Sequence, residues 1–445
     1  MLTAGMISLG CPRNLLDSEV ILGSLKKAGI RIVDIEKNPD ICIVNTCAFL
    51  ESAREESVDA ILEAAELKKK GNIKHLVICG CLSQLYNSKL ADTLREADLV
   101  LGTSDFPSLP YLIKNLGKKK YTLVSRKLNY LYDEKSPRFS LTPRHYAYVK
   151  ISEGCSNFCS YCIISHLRGA FRSRSIESVV SEIKGISRTK DLKEINIIGQ
   201  DTTLFGIDRY GKMALAELLR RICRVRNGVK WIRVLYTHPA HYSDEFIRVV
   251  RDEGKICKYL DLPIQHISDK ILKEMNRHVT KRQIAELVER LRKEMPDIAL
   301  RTSVIVGFPG ETDKDFAELL KFLRDTRFER LGAFIYSREE GTRAAGFGRQ
   351  VPKRVKEERL DEVMSLQRDI SSELNKGLLG KTVEVLIDEA VDGEKGKFIG
   401  RTYADAPEVD CSVYVSGRAV RVGEFCSVKI TDTLEYDLVG EKIIS

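Results

Sequence analysis

Short apolar runs alternate with amphipathic segments along the first 116 residues of the chain. Each run has the length of one buried strand, and each following segment repeats its apolar residues at helical spacing. The three pairs of run and segment occupy residues 6–9 and 17–28, 41–44 and 53–70, and 76–79 and 90–97. A repeated strand–helix order is typical of parallel strands joined by crossover helices, so we predict a doubly wound α/β domain over residues 1–116.

A second strand–helix series begins at residue 144, after a polar, turn-forming connector over residues 117–143. Its strand candidates are residues 146–151, 194–198, 231–236, 259–263, 299–306 and 331–335. Pro352 then opens a charged helix, and Gly377 is its predicted terminator. Strands in such a series predict an incomplete α/β barrel with six strands, which together with the linking helix spans residues 144–376.

The remaining residues, 377–445, follow a different pattern. Apolar and polar positions alternate in short runs at 382–387, 411–415 and 425–430, and Gly and Asp turns separate these runs. Such a pattern predicts a small all-β barrel. Barrels of this size often bind substrates or nucleic acid.

Composition places the chain among ordinary globular proteins. Of its 445 residues, 43% are hydrophobic and 30% are charged, which excludes long disorder and collagen-like order. No stretch approaches the roughly 18 uninterrupted apolar residues of a membrane span. The N-terminus runs into an apolar strand without a basic leader and a cleavage site. We therefore expect a cytoplasmic protein with no membrane contact.

Charge is distributed unevenly along the chain. The net charge is +9, which favours attraction to polyanions such as RNA. From residue 380 onward, however, 8 Lys and Arg stand against 13 Asp and Glu, a balance of −5 that leaves +14 on the rest. Lys118 to Lys120, Arg172 and Arg174 are candidates for a contact with RNA, and a solvated surface is the alternative for each.

Three of the twelve cysteines form a compact motif. Cytosolic thiols are kept reduced, so metal ligation or redox chemistry is the first use to consider. Cys155, Cys159 and Cys162 form a C-x3-C-x2-C run on the loop that follows a predicted strand. Three thiolates so placed can hold three corners of a 4Fe-4S cube and leave the fourth iron open. A zinc site is the alternative, and it needs His166 as its fourth ligand.

Three further cysteines are far apart in sequence but equivalent in position. Cys11, Cys47 and Cys81 each lie just past the end of a predicted strand. The carboxyl ends of parallel strands share one edge of a sheet, so these residues are predicted to converge on a second metal site. Isolated buried cysteines are the alternative. That alternative is preferred for the other six, to which we assign no chemistry: Cys42, Cys79, Cys223, Cys257, Cys411 and Cys426.

The C-x3-C-x2-C run, with Tyr161 directly before its last cysteine, resembles the signature of the radical S-adenosylmethionine (SAM) enzymes. That resemblance implies a six-stranded partial barrel and an open iron that binds the methionine end of SAM and cleaves it to a 5'-deoxyadenosyl radical. Residues 304–311 stand where that superfamily has a strand-end motif near the adenine. A strand, a Gly-Pro turn and a helix cap explain the same residues equally well. The implied SAM contacts are Tyr161, Gln200, Asp201, Gly307 and Glu311, with a helix cap as an equal alternative for Asp201.

The whole domain arrangement is similar to that of the methylthiotransferases, which join an α/β domain with three strand-end cysteines, a radical core and a TRAM-like barrel. Residues 8–14, 199–203 and 435–440 most resemble the branch that modifies an aspartate of ribosomal small-subunit protein twelve. The tRNA-modifying branch typically has Gln-Asn-Val where Gln200, Asp201 and Thr202 stand here. One departure is Ser175, where proline is usual.

The resemblance also implies a mechanism and its partners. The cluster on Cys155, Cys159 and Cys162 generates the radical that removes hydrogen from the aspartate Cβ. The cluster on Cys11, Cys47 and Cys81 carries an exogenous sulfur that is methylated and transferred. An electron donor such as flavodoxin or ferredoxin is implied as well. The alternative enzyme is a tRNA adenosine methylthiotransferase, and the alternatives from other classes are an iron-sulfur electron carrier and an RNA-binding protein with structural clusters.

Overall fold

A computed structural model describes residues 1–116 and 120–443 of the chain. Its N-terminal sheet contains six parallel strands in the order β2-β1-β3-β4-β5-β6. The strands are β1 Thr3–Ser8, β2 Arg31–Ile32, β3 Ile41–Thr46, β4 His75–Gly80, β5 Leu99–Leu101 and β6 Tyr121–Leu123. The α-helices are α1 Pro12–Lys27, α2 Glu51–Lys69, α3 Cys81–Tyr86, α4 Ser88–Thr93 and α5 Leu109–Leu112. Three short 3-10 helices accompany them at Ile35–Lys37, Phe106–Ser108 and Ile113–Asn115.

The three strands predicted for this domain are present as β1, β3 and β4. The short strands β2, β5 and β6 were not predicted. The helix predicted over residues 90–97 is present only as the end of α4, and the additional helix α3 starts directly at Cys81. Strand β6 lies inside the predicted connector and pairs with β5. The division of the chain at residues 116, 143 and 376 stays a prediction.

The central sheet also has six parallel strands, in the order β14-β13-β12-β11-β10-β7. Its strands are β7 Tyr146–Lys150, β10 Glu194–Ile198, β11 Trp231–Val234, β12 Ile256–Asp261, β13 Ala299–Val306 and β14 Arg330–Ile335. Two short antiparallel strands, β8 Ser152–Glu153 and β9 Arg172–Ser173, flank the cysteine loop. All six predicted core strands are confirmed.

Helices alternate with the strands of the central sheet, and several of them bury a large apolar cluster against it. They are α6 Ile164–Arg168, α7 Ile176–Thr189, α8 Ile207–Tyr210, α9 Leu215–Cys223, α10 Asp244–Asp252, α11 Asp269–Glu274, α12 Lys281–Glu294, α13 Asp313–Thr326 and α14 Lys353–Lys376. Short 3-10 helices lie at Pro239–His241 and Ala344–Gly346. Helix α14 begins after Pro352 and ends at Gly377 as predicted, and it buries Val363 and Ile370.

The C-terminal strands close into a barrel in the order β15-β16-β17-β19-β18. They are β15 Thr382–Ala390, β16 Lys397–Arg401, β17 Val413–Ser416, β18 Phe425–Thr433 and β19 Leu438–Lys442. The barrel itself is as predicted, and β16 and β19 are additional strands. The chain is therefore mixed α/β, with two parallel sheets and one all-β barrel.

Buried ion pairs join the C-terminal barrel to the central sheet. Arg401 pairs with Glu194, which also pairs with Arg233 of β11. All three side chains are almost wholly excluded from solvent. Breaking one partner of such a pair leaves an uncompensated buried charge, so the barrel is held firmly on the core.

Within residues 1–116 and 120–443, no helix has both the length and the apolar character needed to cross a membrane.

Candidate active site and metal centres

The three N-terminal cysteines converge at one edge of the first sheet. Cys11 follows β1, Cys47 follows β3, and Cys81 follows β4. These three strands are neighbours in the sheet, so their carboxyl ends lie side by side. All three side chains line one cavity of about 150 Å³, and all three are free thiols. The predicted convergence is thus present, and their use as metal ligands stays a prediction.

Two glycines allow these cysteine loops to approach one another. Gly10 has a φ of 86°, and a Cβ atom there would lie 2.8 Å from the Cys47 sulfur. Gly80 has a φ of 100°, and a Cβ atom there would lie 2.6 Å from the carbonyl oxygen of Thr46. A side chain at either position would be strained and would collide with the neighbouring loop. The glycines therefore set the spacing of the three thiols.

Buried polar groups hold the same loops in place. Asn14 donates hydrogen bonds to the carbonyl oxygens of Leu9 and Thr46, at 2.7 and 3.2 Å. Arg168 of α6 donates to the Asn14 side chain at 3.1 Å and to the Cys81 sulfur at 3.3 Å. Arg168 also pairs with Asp17 of α1. A residue of the central segment therefore completes the N-terminal site.

The surrounding charges give the three thiols different acidities. Burial raises the pKa of Cys47 to about 11, with the nearby Cys81 adding to the effect. Burial also opposes ionisation of Cys11, but Arg13 and Arg168 outweigh it and the pKa of Cys11 is lowered. Thiolates are the form that binds metal, so the arginines favour the ligating state at Cys11.

The second cysteine triad lies at the carboxyl ends of the central strands. Cys155, Cys159 and Cys162 line a cavity of about 290 Å³ together with side chains that follow β10, β11, β12 and β14. Burial raises the pKa of Cys155 to about 11 and that of Cys162 to about 12. In parallel α/β folds this end of the sheet is where ligands bind.

The lining of this cavity fits a polar cofactor. Four of its residues each have a buried polar atom without a hydrogen-bond partner among the described residues: Gln200 Oε1, His238 Nε2, Arg277 Nε and Tyr336 Oη. Buried polar groups are normally paired, so unpaired ones in a cavity indicate a polar ligand. The amino, carboxylate, ribose and adenine groups of SAM offer such partners.

A single zinc ion does not fit either triad. Among the described residues, only Asp201, His238 and His241 bring three candidate ligand atoms within 4.8 Å of one another. The cysteine sulfurs of both triads are wider apart than the tetrahedral ligands of one ion allow. His166, the fourth ligand that zinc would need, is exposed on α6 and does not line the cavity.

The five predicted SAM contacts fall into two groups. Tyr161 and Gln200 line the larger cavity. Asp201, Gly307 and Glu311 are not among its lining residues. Gly307 packs against the side chain of Lys356 on α14, one helix behind the sheet. All five stay predictions as SAM contacts.

Two of those three are held by protein partners. Asp201 is buried and accepts hydrogen bonds from Asn157 at 2.8 Å and from His241 at 2.9 Å. Glu311 is buried and pairs with Arg359 at 2.8 Å. A helix cap was expected at Glu311 and Thr312, and it is Thr312 whose side chain accepts from the Asp315 backbone. Asp201 therefore holds Asn157 of the cavity lining, whereas Glu311 is bound to α14.

The two cysteine-lined cavities share part of their walls. Five residues border both cavities: Arg13, Phe49, Leu50, Ile164 and Gln200. Gln200 also donates a hydrogen bond to Glu153, which lies between Lys150 and Arg168. Burial opposes the charge on Glu153, yet Lys150 and Arg168 bring its pKa down to about 2. The two sites are thus neighbours across one wall and one buried charge network.

Several lining residues were not identified from the sequence. They are Arg13, Tyr236, His238, Arg277 and Arg301. The position of Tyr236 and His238 just past β11 was an available signal, because strand ends form the ligand edge. Burial, with the charge of nearby Arg277, lowers the pKa of His238 to about 2, so its ring is neutral.

The basic residues that the sequence offered for an RNA contact differ in their surroundings. Arg174 is buried, pairs with Glu182 and lies 4.4 Å from the centre of the Tyr132 ring, so its charge is not available to RNA. This corrects its proposed RNA contact. Arg172 is partly exposed, while Lys118 and Lys119 lie outside the described residues.

Ser175, the departure from the family pattern, caps α7. Its side chain accepts from the Ser178 backbone at 3.1 Å, and its φ of −73° is one that proline also adopts.

Family comparisons cover all three parts of the chain. Residues 149–323 match the radical SAM superfamily, residues 3–102 match the uncharacterized protein family UPF0004, and residues 379–443 match the TRAM domain. The central sheet, the cysteine loop and these matches together define an enzyme of the radical SAM class.

Relatives of nearly full length identify the family. The chain is 46% identical over 444 residues to the ribosomal protein uS12 methylthiotransferase RimO of Desulforamulus reducens, and the match covers 99% of each chain. It is 44% identical to the protein of the same name from Clostridioides difficile, with 99% of each covered, and 46% identical to that from Geobacter sulfurreducens, with 98% of each covered. The chain belongs to the RimO family of methylthiotransferases. As a member it transfers a methylthio group and uses SAM and iron-sulfur chemistry.

Solved structures support the fold. The methyltransferase TsrM of Kitasatospora setae, with tryptophan and a SAM analogue bound, matches with a TM-score of 0.56 at 14% identity, over 75% of this chain and 73% of that one. The cobalamin-dependent radical enzyme OxsB, with SAM bound, matches with a TM-score of 0.53 at 14% identity, over 82% of this chain and 56% of that one. Both are similar in architecture.

Proposed function

We propose that this enzyme attaches a methylthio group to the Cβ of an aspartate in ribosomal small-subunit protein uS12, by a radical mechanism that uses two 4Fe-4S clusters. One observation carries the proposal. Two triads of free cysteines line two cavities that share a wall, in a chain whose relatives are named uS12 methylthiotransferases. The centre that forms the radical and the centre that delivers sulfur must lie close together, because both act on the same aspartate Cβ.

The cysteines divide between the two centres. Cys155, Cys159 and Cys162 would hold the cluster that binds SAM, and Cys11, Cys47 and Cys81 would hold the second. With three protein ligands each, both clusters keep one iron open. When bound, these cofactors would supply the one-electron chemistry that breaks an unactivated C–H bond and an open iron for the exogenous sulfur that is transferred.

The chain's own residues orient the reactants and exclude water. Tyr161 and Gln200 are proposed to contact SAM from the wall of the larger cavity. Asp201, Gly307 and Glu311 are also proposed as SAM contacts, although they are not among the lining residues of this cavity. Phe49, Leu50 and Ile164 give the shared wall an apolar surface. A dry site protects a carbon radical from side reactions.

The acidity of the C-terminal barrel favours a protein substrate over tRNA. Its balance of −5 repels phosphates, whereas ribosomal proteins are generally basic. Asp432 and Glu435 are exposed and add to this charge near the end of the chain. Ribosomal RNA next to uS12 remains a proposed contact of the basic body, with Arg172 and Lys120 as candidates. We also propose a cytoplasmic location and a flavodoxin or ferredoxin as electron donor.

Mass spectrometry of a strain lacking this gene tests the substrate. We expect uS12 to lose a methylthio group from one aspartate while every methylthioadenosine in tRNA remains, and a plasmid copy to restore the uS12 modification. Loss of methylthioadenosine from tRNA with uS12 unchanged would establish the tRNA adenosine enzyme instead.

A further inference from the structure

Arg13 occupies the wall between the two proposed centres. It lies two residues after Cys11, in the first turn of α1, and borders both cysteine-lined cavities. Its guanidinium carbon is 4.4 Å from the centre of the Tyr236 ring. It therefore reaches from the N-terminal sheet to the carboxyl ends of the central strands.

The hydrogen-bonding capacity of Arg13 is mostly unused. Its Nη1 donates to the Gly199 carbonyl oxygen at 3.4 Å, a long hydrogen bond, and its side chain also contacts the Cys11 thiol. A guanidinium has five N–H donors arranged to bind a carboxylate through two of them. Within residues 1–116 and 120–443, no carboxylate lies within 4.0 Å of it.

Arg13 is half-buried, whereas most of the fully buried arginines of the described chain are paired with acids and Arg277 is an exception. Arg168 pairs with Asp17, Arg174 with Glu182, Arg233 with Glu194, Arg359 with Glu311, and Arg401 with Glu194 and Asp388. In the larger cavity, Arg301 is bound to Asp261 and Asp410. Arg277 contacts Cys159 and the Pro263 carbonyl oxygen. Arg13 is therefore the lining cation at the shared wall that lacks an acidic partner among the described residues.

The surroundings of Arg13 strengthen attraction to an anion. Phe49, Leu50 and Ile164 form the apolar part of the shared wall, and Gln200 is bound to Glu153. Charges attract more strongly where water is scarce, and the half-buried Arg13 is partly screened from solvent by these side chains. An acidic group that enters this wall meets one cation and little competing solvent.

We propose that Arg13 binds the carboxylate of the target side chain and so holds the adjacent carbon between the two cysteine triads. The inference rests on the proposed function, because it takes an acidic side chain of a protein as the substrate. Two parallel N–H donors on one carboxylate would fix both the distance and the orientation of that side chain. Arg13 would thereby determine specificity for an acidic residue. This role is separate from its effect on the pKa of the Cys11 thiol.

Binding of uS12 to the reconstituted holoenzyme tests this role without turnover. Wild type and Arg13→Gln are compared, in the presence of SAM and without reductant, on uS12 and on uS12 in which the target aspartate is replaced by asparagine. We expect wild type to bind the aspartate form about tenfold or more tightly than the asparagine form, as charged hydrogen bonds warrant. Arg13→Gln should bind both forms equally.

Two further variants control for local damage. Arg13→Lys keeps the charge without the paired donors and should retain a smaller preference for aspartate. Arg282→Gln removes an exposed arginine of α12 and should behave as wild type. Iron content and reductive SAM cleavage are measured for each variant, so that any loss of the cluster next to Cys11 is separated from a loss of the aspartate preference.

The outcomes separate the inference from the proposed function. If wild type modifies uS12 and prefers the aspartate form, and Arg13→Gln keeps the same preference, the inference is overturned while the proposed function stands. A fall in iron content in Arg13→Gln and in Arg13→Lys alike, with the aspartate preference intact in both, would assign Arg13 to the cluster alone. If wild type leaves uS12 unmodified but modifies tRNA, the proposed function itself fails.

Discussion

Asp410 of the C-terminal barrel accepts a hydrogen bond from Arg301 of β13 at 3.1 Å, inside the central sheet. Arg301 lines the larger cavity and also donates to Asp261 at 3.0 Å. The second oxygen of Asp410 accepts from the Tyr259 hydroxyl at 2.6 Å. The C-terminal barrel therefore helps to hold Arg301 in the wall of the active-site cavity. It does so through Asp410, in the segment between β16 and β17.

Replacing Asp410 with Ala should destabilise the central core. The change leaves Arg301 with Asp261 as its one acidic partner and leaves the Tyr259 hydroxyl without an acceptor. We expect a loss of about 3 kcal/mol in unfolding free energy, the low end for breaking a buried pair, because Arg301 keeps one partner. Urea unfolding followed by tryptophan fluorescence reports on Trp231 of this core. Asp432→Ala, an exposed acid of the same barrel, should change stability little, and an equal effect of both variants would contradict the assignment.

Replacing Cys155, Cys159 or Cys162 with Ala should abolish reductive cleavage of SAM. Two thiolates do not hold the cube as three do, so one cluster of the two is lost. The assay measures 5'-deoxyadenosine and methionine after addition of dithionite. Cys223→Ala, a cysteine on α9 outside both cavities, is the matched control and should cleave SAM as wild type does. Cleavage at the wild-type rate by any of the three variants would refute the ligand assignment.

Replacing Cys11, Cys47 and Cys81 together with Ala should separate the two halves of the reaction. Iron should fall by about four atoms per chain, one cube of this type. Reductive SAM cleavage should continue, because the second triad is intact, while methylthio transfer stops. Iron analysis, deoxyadenosine assay and product mass spectrometry are run on one preparation. A triple variant that still transfers methylthio groups would mean that these are core cysteines.

The positions of the six cysteines could be predicted from sequence because strand ends and ligand spacing are local patterns. The wall between the sites could not, since Arg13, Ile164 and Tyr236 come together only through packing of distant segments. The same is true of Asp410, which reaches Arg301 across 109 positions. Strands β2, β5 and β6 were missed because runs of two or three residues give too little periodicity.

Reversing the acids Asp432 and Glu435 to Lys should slow modification of uS12, most clearly at low salt. Both side chains are exposed, and a basic partner is steered by opposite charge over a distance that salt shortens. Asp437 is left unchanged because it accepts from the Ser412 backbone at 2.8 Å. Initial rates are measured over a range of ionic strength. Reversal of Glu245 and Glu289, exposed acids on the helices of the central segment, is the control, and an equal slowing there would remove the case for steering.

The central claim is tested most directly by offering both substrates to the purified enzyme in one reaction. Reconstituted protein is incubated with SAM, dithionite, a sulfide source, ribosomal small subunits and tRNA, and both products are analysed by tandem mass spectrometry. We expect one methylthio group on the Cβ of a uS12 aspartate, formation of 5'-deoxyadenosine, and no new methylthioadenosine in tRNA. Methylthioadenosine in tRNA with uS12 unmodified would contradict the account.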